Sequence, residues 1–252
     1  MVSNRPLVFL DLDDTLFQTP GKMPEHARRY PASYNVDGAV SGYQSEAQRT
    51  LLDWLRRDCD LVPVTARSVE AFGRVALGFS GGAICAHGGV ILRPDGEVDL
   101  HWQSAMAERL RPFQARLPML CEAALQAGAE LDMSLRGWVL EEGGQRQCVV
   151  IKHNAGTDAQ LERLRDTLLI AGHLEGMYTH LNGNNLALLP LGVGKRAAVA
   201  HYLAQDHALH GSRLLLGIGD SVSDLGFMGL CHFWATPSGS QVAECVGGIA
   251  HA

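Results

Sequence analysis

Two carboxylates spaced two apart, Asp11 and Asp13, follow directly on the apolar run Leu7-Val8-Phe9-Leu10. In extended backbone that spacing places both side chains on one face. Neighbouring carboxylates disfavour each other's ionised form. A hard divalent cation such as Mg²⁺, which takes oxygen ligands, relieves that cost. A helix N-cap would account for Asp and Thr at such a position equally well. The choice between the two readings depends on segments further along the chain. Thr65 closes the short apolar run 59–64, Lys195 ends Gly192-Val193-Gly194-Lys195, and Asp220 and Asp224 follow the apolar run 213–217.

The elements around these residues set where they meet. Apolar runs of strand length at 7–10, 59–64, 83–86 and 213–217 alternate with helical patterns at 45–57, 69–77 and 195–203. Strands alternating with helices imply right-handed crossovers and a parallel sheet. In a doubly wound sheet, ligands gather at the C-terminal ends of the strands. Asp11, Asp13, Thr65, Asp220 and Asp224 all fall at such ends, and Lys195 opens a nearby helix. Four carboxylates, a hydroxyl and an ammonium at one edge suit a phosphoryl group and a divalent metal. One carboxylate can serve as nucleophile, the metal and ammonium offset charge on the phosphoryl oxygens, and the hydroxyl donates a hydrogen bond.

Between 93 and 184 the pattern changes. A turn at Arg93-Pro94-Asp95-Gly96 leads into a long helix with Trp102, Met106, Leu110, Phe113, Leu117, Leu120 and Ala124 on one stripe. A hairpin follows through Gly143-Gly144, then a helix at 158–171 and a hairpin around Asn182-Gly183. This order is α+β, so residues 93–184 read as a domain inserted into a core made of 1–92 and 185–252. Residues 17–42, rich in Pro, Gly and polar groups, read as a loop excursion with a helical turn near 24–29.

The order and spacing of Asp11-Leu12-Asp13-Asp14-Thr15, Thr65, Lys195 and Gly219-Asp220-Ser221-Val222-Ser223-Asp224 resemble the four motifs of the haloacid dehalogenase (HAD) superfamily. The insertion resembles the C2B-type cap of Cof-type, sucrose-phosphate and mannosyl-3-phosphoglycerate phosphatases. The resemblance implies an α/β fold: a doubly wound, Rossmann-like parallel-sheet core with an inserted α+β cap. It implies that Asp11 is the nucleophile and Asp13 the general acid and base, with Thr65 and Lys195 holding the phosphoryl group. It further implies Mg²⁺ held by Asp11, Asp220 and the backbone carbonyl of Asp13, with Asp224 either a direct ligand or just behind them. Arg67, His87, Lys152, His180, Asn182 and Asn184 are the candidate substrate contacts. Asp14, His87 and Ser221 stand where related phosphatases often carry Gly, Asn and Asn, and the departures at His87 and Ser221 bear on substrate choice.

The expected activity is hydrolysis of a small phosphorylated metabolite, a sugar phosphate first of all. The rivals are a phosphomutase or phosphotransferase of the same fold, and a catalytically silent binding protein on that scaffold. The net charge of −6 and the absence of a Lys/Arg cluster argue against nucleic acid. No apolar run is long enough for a bilayer, and the scattered cysteines suit a reducing compartment. The expectation is a cytoplasmic protein without a membrane partner. The excursion at 17–42 offers a surface for substrate contacts or for a homodimer.

Overall fold

The computed structural model describes residues 5–154 and 158–250. The chain divides into two compact units, one made of 1–102 and 195–252, the other of 103–194.

The first unit opens with β1 (Leu7–Leu10), every residue of which is buried. A hairpin of β2 (Tyr30–Tyr34) and β3 (Val40–Gln44) follows, then α1 (Glu46–Asp58), β4 (Asp60–Pro63) and α2 (Val69–Gly73). Next come β5 (Ala83–Cys85) and β6 (Val90–Leu92), and α3 (Leu100–Leu110) crosses into the second unit. That unit contains α4 (Arg116–Glu130), β7 (Leu135–Glu142), β8 (Gln145–His153), α5 (Asp158–Ile170), β9 (Met177–Asn182) and β10 (Asn185–Pro190). The chain then returns to the first unit with α6 (Lys195–His210), β11 (Leu215–Ile218), α7 (Leu225–Met228), β12 (Phe233–Ala235) and α8 (Gln241–Ala250).

The first unit's main sheet is parallel, in the order β12-β11-β1-β4. Leu10 pairs with Ile218 on one side and Pro63 on the other. The parallel strands therefore end level, and the residues that follow each of them emerge at one edge. Pro63 ends its strand, where a missing N–H costs least. Val8, Leu10, Leu12, Leu16, Leu52, Leu55, Leu61 and Ile218 form a core cluster on one side of this sheet. Ser45 starts α1 with a reciprocal capping box to Gln48.

In the second unit an antiparallel sheet, order β7-β8-β10-β9, packs one face on α4 and α5. Val149, Ile151, Leu186 and Leu188 meet Leu117, Leu120, Ala124, Leu161, Leu164 and Leu168 there. Among the described residues no helix is long and apolar enough to cross a membrane.

Several expectations need correction. Residues 17–42 are not all loop: β2 and β3 pair through a turn at Asp37-Gly38, where Gly38 takes φ +83°. The long helix is broken at Arg111–Phe113, because Pro112 has no N–H to continue it. The run 83–86 does not extend the parallel sheet as a full strand. It folds back as the antiparallel β5-β6 hairpin and reaches β4's end through a single bridge, Val64 to Ile84. The two compact units divide at 102/103 and 194/195. The later division leaves β10 in the second unit, where it is an interior strand of the antiparallel sheet, bonded to β8 and β9.

Candidate active site

Asp11 is the first residue beyond β1, and its N–H donates to the Ile218 carbonyl at the end of β11. That bond fixes the tip of β1 beside the loop carrying Asp220. Carboxylate oxygens of Asp11, Asp220 and Asp224 all lie within 4.8 Å of one another, and all three residues are buried. Lys195, the first residue of α6, donates from Nζ to Asp11 Oδ1 (2.6 Å) and Asp224 Oδ1 (2.7 Å). Ser221 donates to Asp224 Oδ2 from its N–H (3.0 Å) and its hydroxyl (2.8 Å). Thr15 Oγ1 donates to Asp220 Oδ1 (3.2 Å).

Asp13 behaves differently from Asp11. Its carboxylate is gripped by the guanidinium of Arg67, with Nε to Oδ2 and Nη2 to Oδ1 both 2.7 Å. Thr65, buried at the end of β4, accepts a hydrogen bond from the Arg67 N–H at Oγ1 (3.1 Å). The His87 N–H donates to the Thr65 carbonyl, and His87 occupies a left-handed position with φ +56° in the β5-β6 turn.

No protein-family model matches the sequence, and no curated protein matches it. Solved structures do. Sucrose-phosphatase from Synechocystis sp. PCC6803, in complex with sucrose and phosphate, superposes with a TM-score of 0.54 at 18% identity, over 98% of both chains. The C-terminal domain of C. albicans trehalose-6-phosphate phosphatase gives 0.56 at 15% identity, over 89% of this chain and 73% of that one. A haloacid dehalogenase-like hydrolase from Bacteroides thetaiotaomicron gives 0.51 at 15% identity, over 97% and 99%. The chain has the haloacid dehalogenase fold.

Within this HAD fold, the electrostatics of the acidic group follow from burial. Burial pushes the Asp11 carboxyl well above its ordinary value; Lys195 draws it back, while Asp224 and Asp220 push it further up. Asp220 is pushed up to about 6 by burial and by the charges of Asp224 and Asp14. Burial also opposes the charge on Asp224, but Lys195 and the Ser221 bonds outweigh it and hold that carboxyl below its ordinary value. Lys195 is buried too, yet Asp11 and Asp224 keep it firmly protonated. One ammonium among three carboxylates leaves a net negative charge on buried groups. That donor set, all oxygen and all acidic, fits a hard divalent cation.

The six residues expected from the HAD motifs (Asp11, Asp13, Thr65, Lys195, Asp220 and Asp224) all lie in the first unit. The structure brings Asp11, Asp220, Asp224 and Lys195 into direct contact or mutual range. The Asp13 side chain stays outside that acidic triad, on Arg67.

Lys152, His180, Asn182 and Asn184 belong to the second unit. Lys152 lies opposite Asn185, and Asn185 opposite Asn182, so the three form one row across β8, β10 and β9. His180 lies on the same sheet face, opposite Ala187, one step along the strands. Asn184 sits in the β9-β10 turn and donates to the His153 carbonyl.

Sequence reasoning assigned no role to Thr15, to the hydroxyl of Ser221, or to the Arg67–Asp13 pair. Thr15 had a legible signal, since it lies within the same short motif as Asp11 and Asp13. The Arg67–Asp13 pair had none, because 54 residues separate its members.

Proposed function

We propose that this protein hydrolyses a small phosphorylated metabolite, most directly a sugar phosphate, through a phosphoaspartate at Asp11. The observation that carries this reading is the buried Asp11 carboxylate, presented at a strand tip with Lys195 on one oxygen and two further acids within reach. Sucrose-phosphatase and trehalose-6-phosphate phosphatase share the fold, which supports sugar phosphates as the substrate class.

Asp11, Asp220 and Asp224 would hold Mg²⁺, together with the backbone carbonyl of Asp13. When bound, the ion supplies charge neutralisation for the phosphoryl oxygens and for the acids around it. In the first step an Asp11 oxygen attacks phosphorus. The bond from phosphorus to the leaving oxygen breaks, its electron pair stays on that oxygen, and Asp13 supplies the proton. In the second step Asp13 takes a proton from water as the water oxygen attacks phosphorus. The phosphorus–Asp11 bond then breaks, and its electron pair returns to the carboxylate.

Two neighbours serve the phosphoryl oxygens. The Thr65 hydroxyl already accepts from the Arg67 N–H, so its own hydrogen is available for donation. Lys195 uses two of its three hydrogens on Asp11 and Asp224, leaving a third for the phosphoryl group. Such pre-aimed donors in a dry site stabilise charge as it develops. Lys152, His180, Asn182 and Asn184 are proposed only as candidate partners for sugar hydroxyls, and the His87 N–H donates to the Thr65 carbonyl.

The test is phosphate release from a panel of phosphorylated sugars, polyols, glycerates and nucleotides, with Mg²⁺ or with EDTA. Metal-dependent release from sugar phosphates, abolished in Asp11→Asn, is the expected result. Release that survives Asp11→Asn would overturn the phosphoaspartate route. No release from any sugar phosphate would overturn the substrate class.

A further inference from the structure

Arg67 ties together two residues with separate tasks. Its guanidinium holds both oxygens of Asp13, and its N–H holds the hydroxyl oxygen of Thr65. The guanidinium carbon stands 5.0 Å from the centre of the Phe17 ring, and Nη1 reaches toward the Ala71 carbonyl at 3.5 Å. The ion pair is open to solvent: the Arg67 side chain is 20% exposed and that of Asp13 48%. Asp11 contributes to the charge felt by Arg67, so the guanidinium is within electrostatic range of the nucleophile.

A bidentate pair occupies one edge of the guanidinium fork, and that edge cannot grip a second anion at the same time. The fork fits a phosphoryl group as well as it fits a carboxylate, and a phosphoryl dianion carries more charge. Both Asp13 oxygens are also engaged by Arg67 in this arrangement. We propose that Arg67 is a partner-exchanging positioning residue. In the substrate-free site it holds the Asp13 carboxylate. When a phosphoryl group arrives, the fork passes from Asp13 to a phosphoryl oxygen and frees Asp13 to turn toward the leaving oxygen. Contact with the Phe17 face is indifferent to which anion the fork holds, so it retains the guanidinium through the exchange. This inference rests on the phosphatase reading above.

Exchange makes anion binding compete with the Arg67–Asp13 pair, which a double-mutant cycle detects. The affinity for inorganic phosphate in the presence of Mg²⁺ is measured calorimetrically for wild type, Asp13→Ala, Arg67→Gln and the double variant. Removing Asp13 should tighten phosphate binding about tenfold or more when Arg67 is present, the scale of one charge-assisted hydrogen-bonded pair. In the Arg67→Gln background the same removal should give a much smaller gain. Equal gains in both backgrounds would overturn the exchange and leave Arg67 a fixed brace. No phosphate binding by any of the four proteins would overturn the phosphoryl site itself, and the exchange with it.

A kinetic readout separates exchange from a fixed brace. Arg67→Gln removes the grip on the phosphoryl group but leaves Asp13 free, so it should weaken turnover of alkyl phosphates and of p-nitrophenyl phosphate alike, chiefly through KM. A kcat loss confined to alkyl phosphates, whose leaving group needs a proton, would show that Arg67 aims Asp13 and would overturn the exchange. Should Arg67→Gln fail to fold, Arg67→Lys keeps the charge without the fork and serves in its place.

Discussion

Lys195 lies 2.6 Å from Asp11 although 184 residues separate them in the chain. The contact is made because α6 starts at Lys195 and directs its first side chain to the tip of β1. Both partners are buried, at 9% and 8% side-chain exposure, so neither charge can rely on water. Lys195 is therefore what balances these buried carboxylates.

Lys195→Met tests that balance. It would leave Asp11 and Asp224 buried without their cation, a change that typically costs about 3–5 kcal/mol. Without the ammonium, the Asp11 carboxyl is pushed up further and Asp224 loses the charge that holds it below its ordinary value, so burial raises both. Such a group destabilises the fold above the unfolded pKa and ceases to do so as pH falls through it. The deficit of metal-free Lys195→Met relative to wild type should thus be large at neutral pH and shrink toward pH 4. Urea denaturation in EDTA across this range measures it, and a pH-independent deficit would contradict the argument.

Mg²⁺ should stabilise the wild-type protein in a pH-dependent way. Asp220 has an ordinary value of 3.8 and is pushed up to about 6 in the folded, metal-free protein. As a raised carboxyl, it costs stability progressively as pH rises from about 4 to about 6, with the full cost above that window. A bound cation removes the cost, whereas at low pH it must first displace the proton. The rise in Tm on adding Mg²⁺ should therefore be larger at pH 7.5 than at pH 5. Thermal scans with and without EDTA read this directly, and an equal or smaller rise at pH 7.5 would count against Asp220 as a ligand.

Gly219 shows how tightly the site is packed. A Cβ at this position would stand 2.6 Å from Cβ and 2.9 Å from Cγ of Asp224, which real Cβ atoms do not tolerate. Gly219→Ala should push Asp224 off Ser221 and Lys195, lowering kcat tenfold or more and costing about 1–3 kcal/mol in stability. At Gly21 an added Cβ meets nothing within 4 Å, so Gly21→Ala should be neutral on both counts. Matching kcat values for the two variants would refute the packing argument.

Much of this arrangement was legible before folding because it depends on short-range pattern. Apolar runs ending in acids predict strand tips, and parallel pairing then makes those tips level; the register Leu10 to Ile218 and Pro63 bears that out. The hairpins through Gly143-Gly144 and Asn182-Gly183-Asn184 were equally readable, since few residues accept the backbone conformations such turns need. The β2-β3 hairpin was missed because its strands are short and irregular, with register shifts around Ser33 that blur any alternation. The break at Pro112 was available in the sequence, but the continuous apolar stripe across it masked the missing donor.

By itself the sequence determined the residue types that meet at the sheet edge, the parallel core that carries them, and the presence of an inserted α+β segment. These follow from local spacing, which acts through φ/ψ preference and side-chain periodicity. Only the tertiary structure decided how the charges pair. It placed Lys195 between Asp11 and Asp224, Thr15 on Asp220, and Asp13 in the fork of Arg67 rather than beside Asp11. Pairing of this kind is settled by burial and by hydrogen-bond geometry between segments far apart in the chain. No pattern within one segment encodes it.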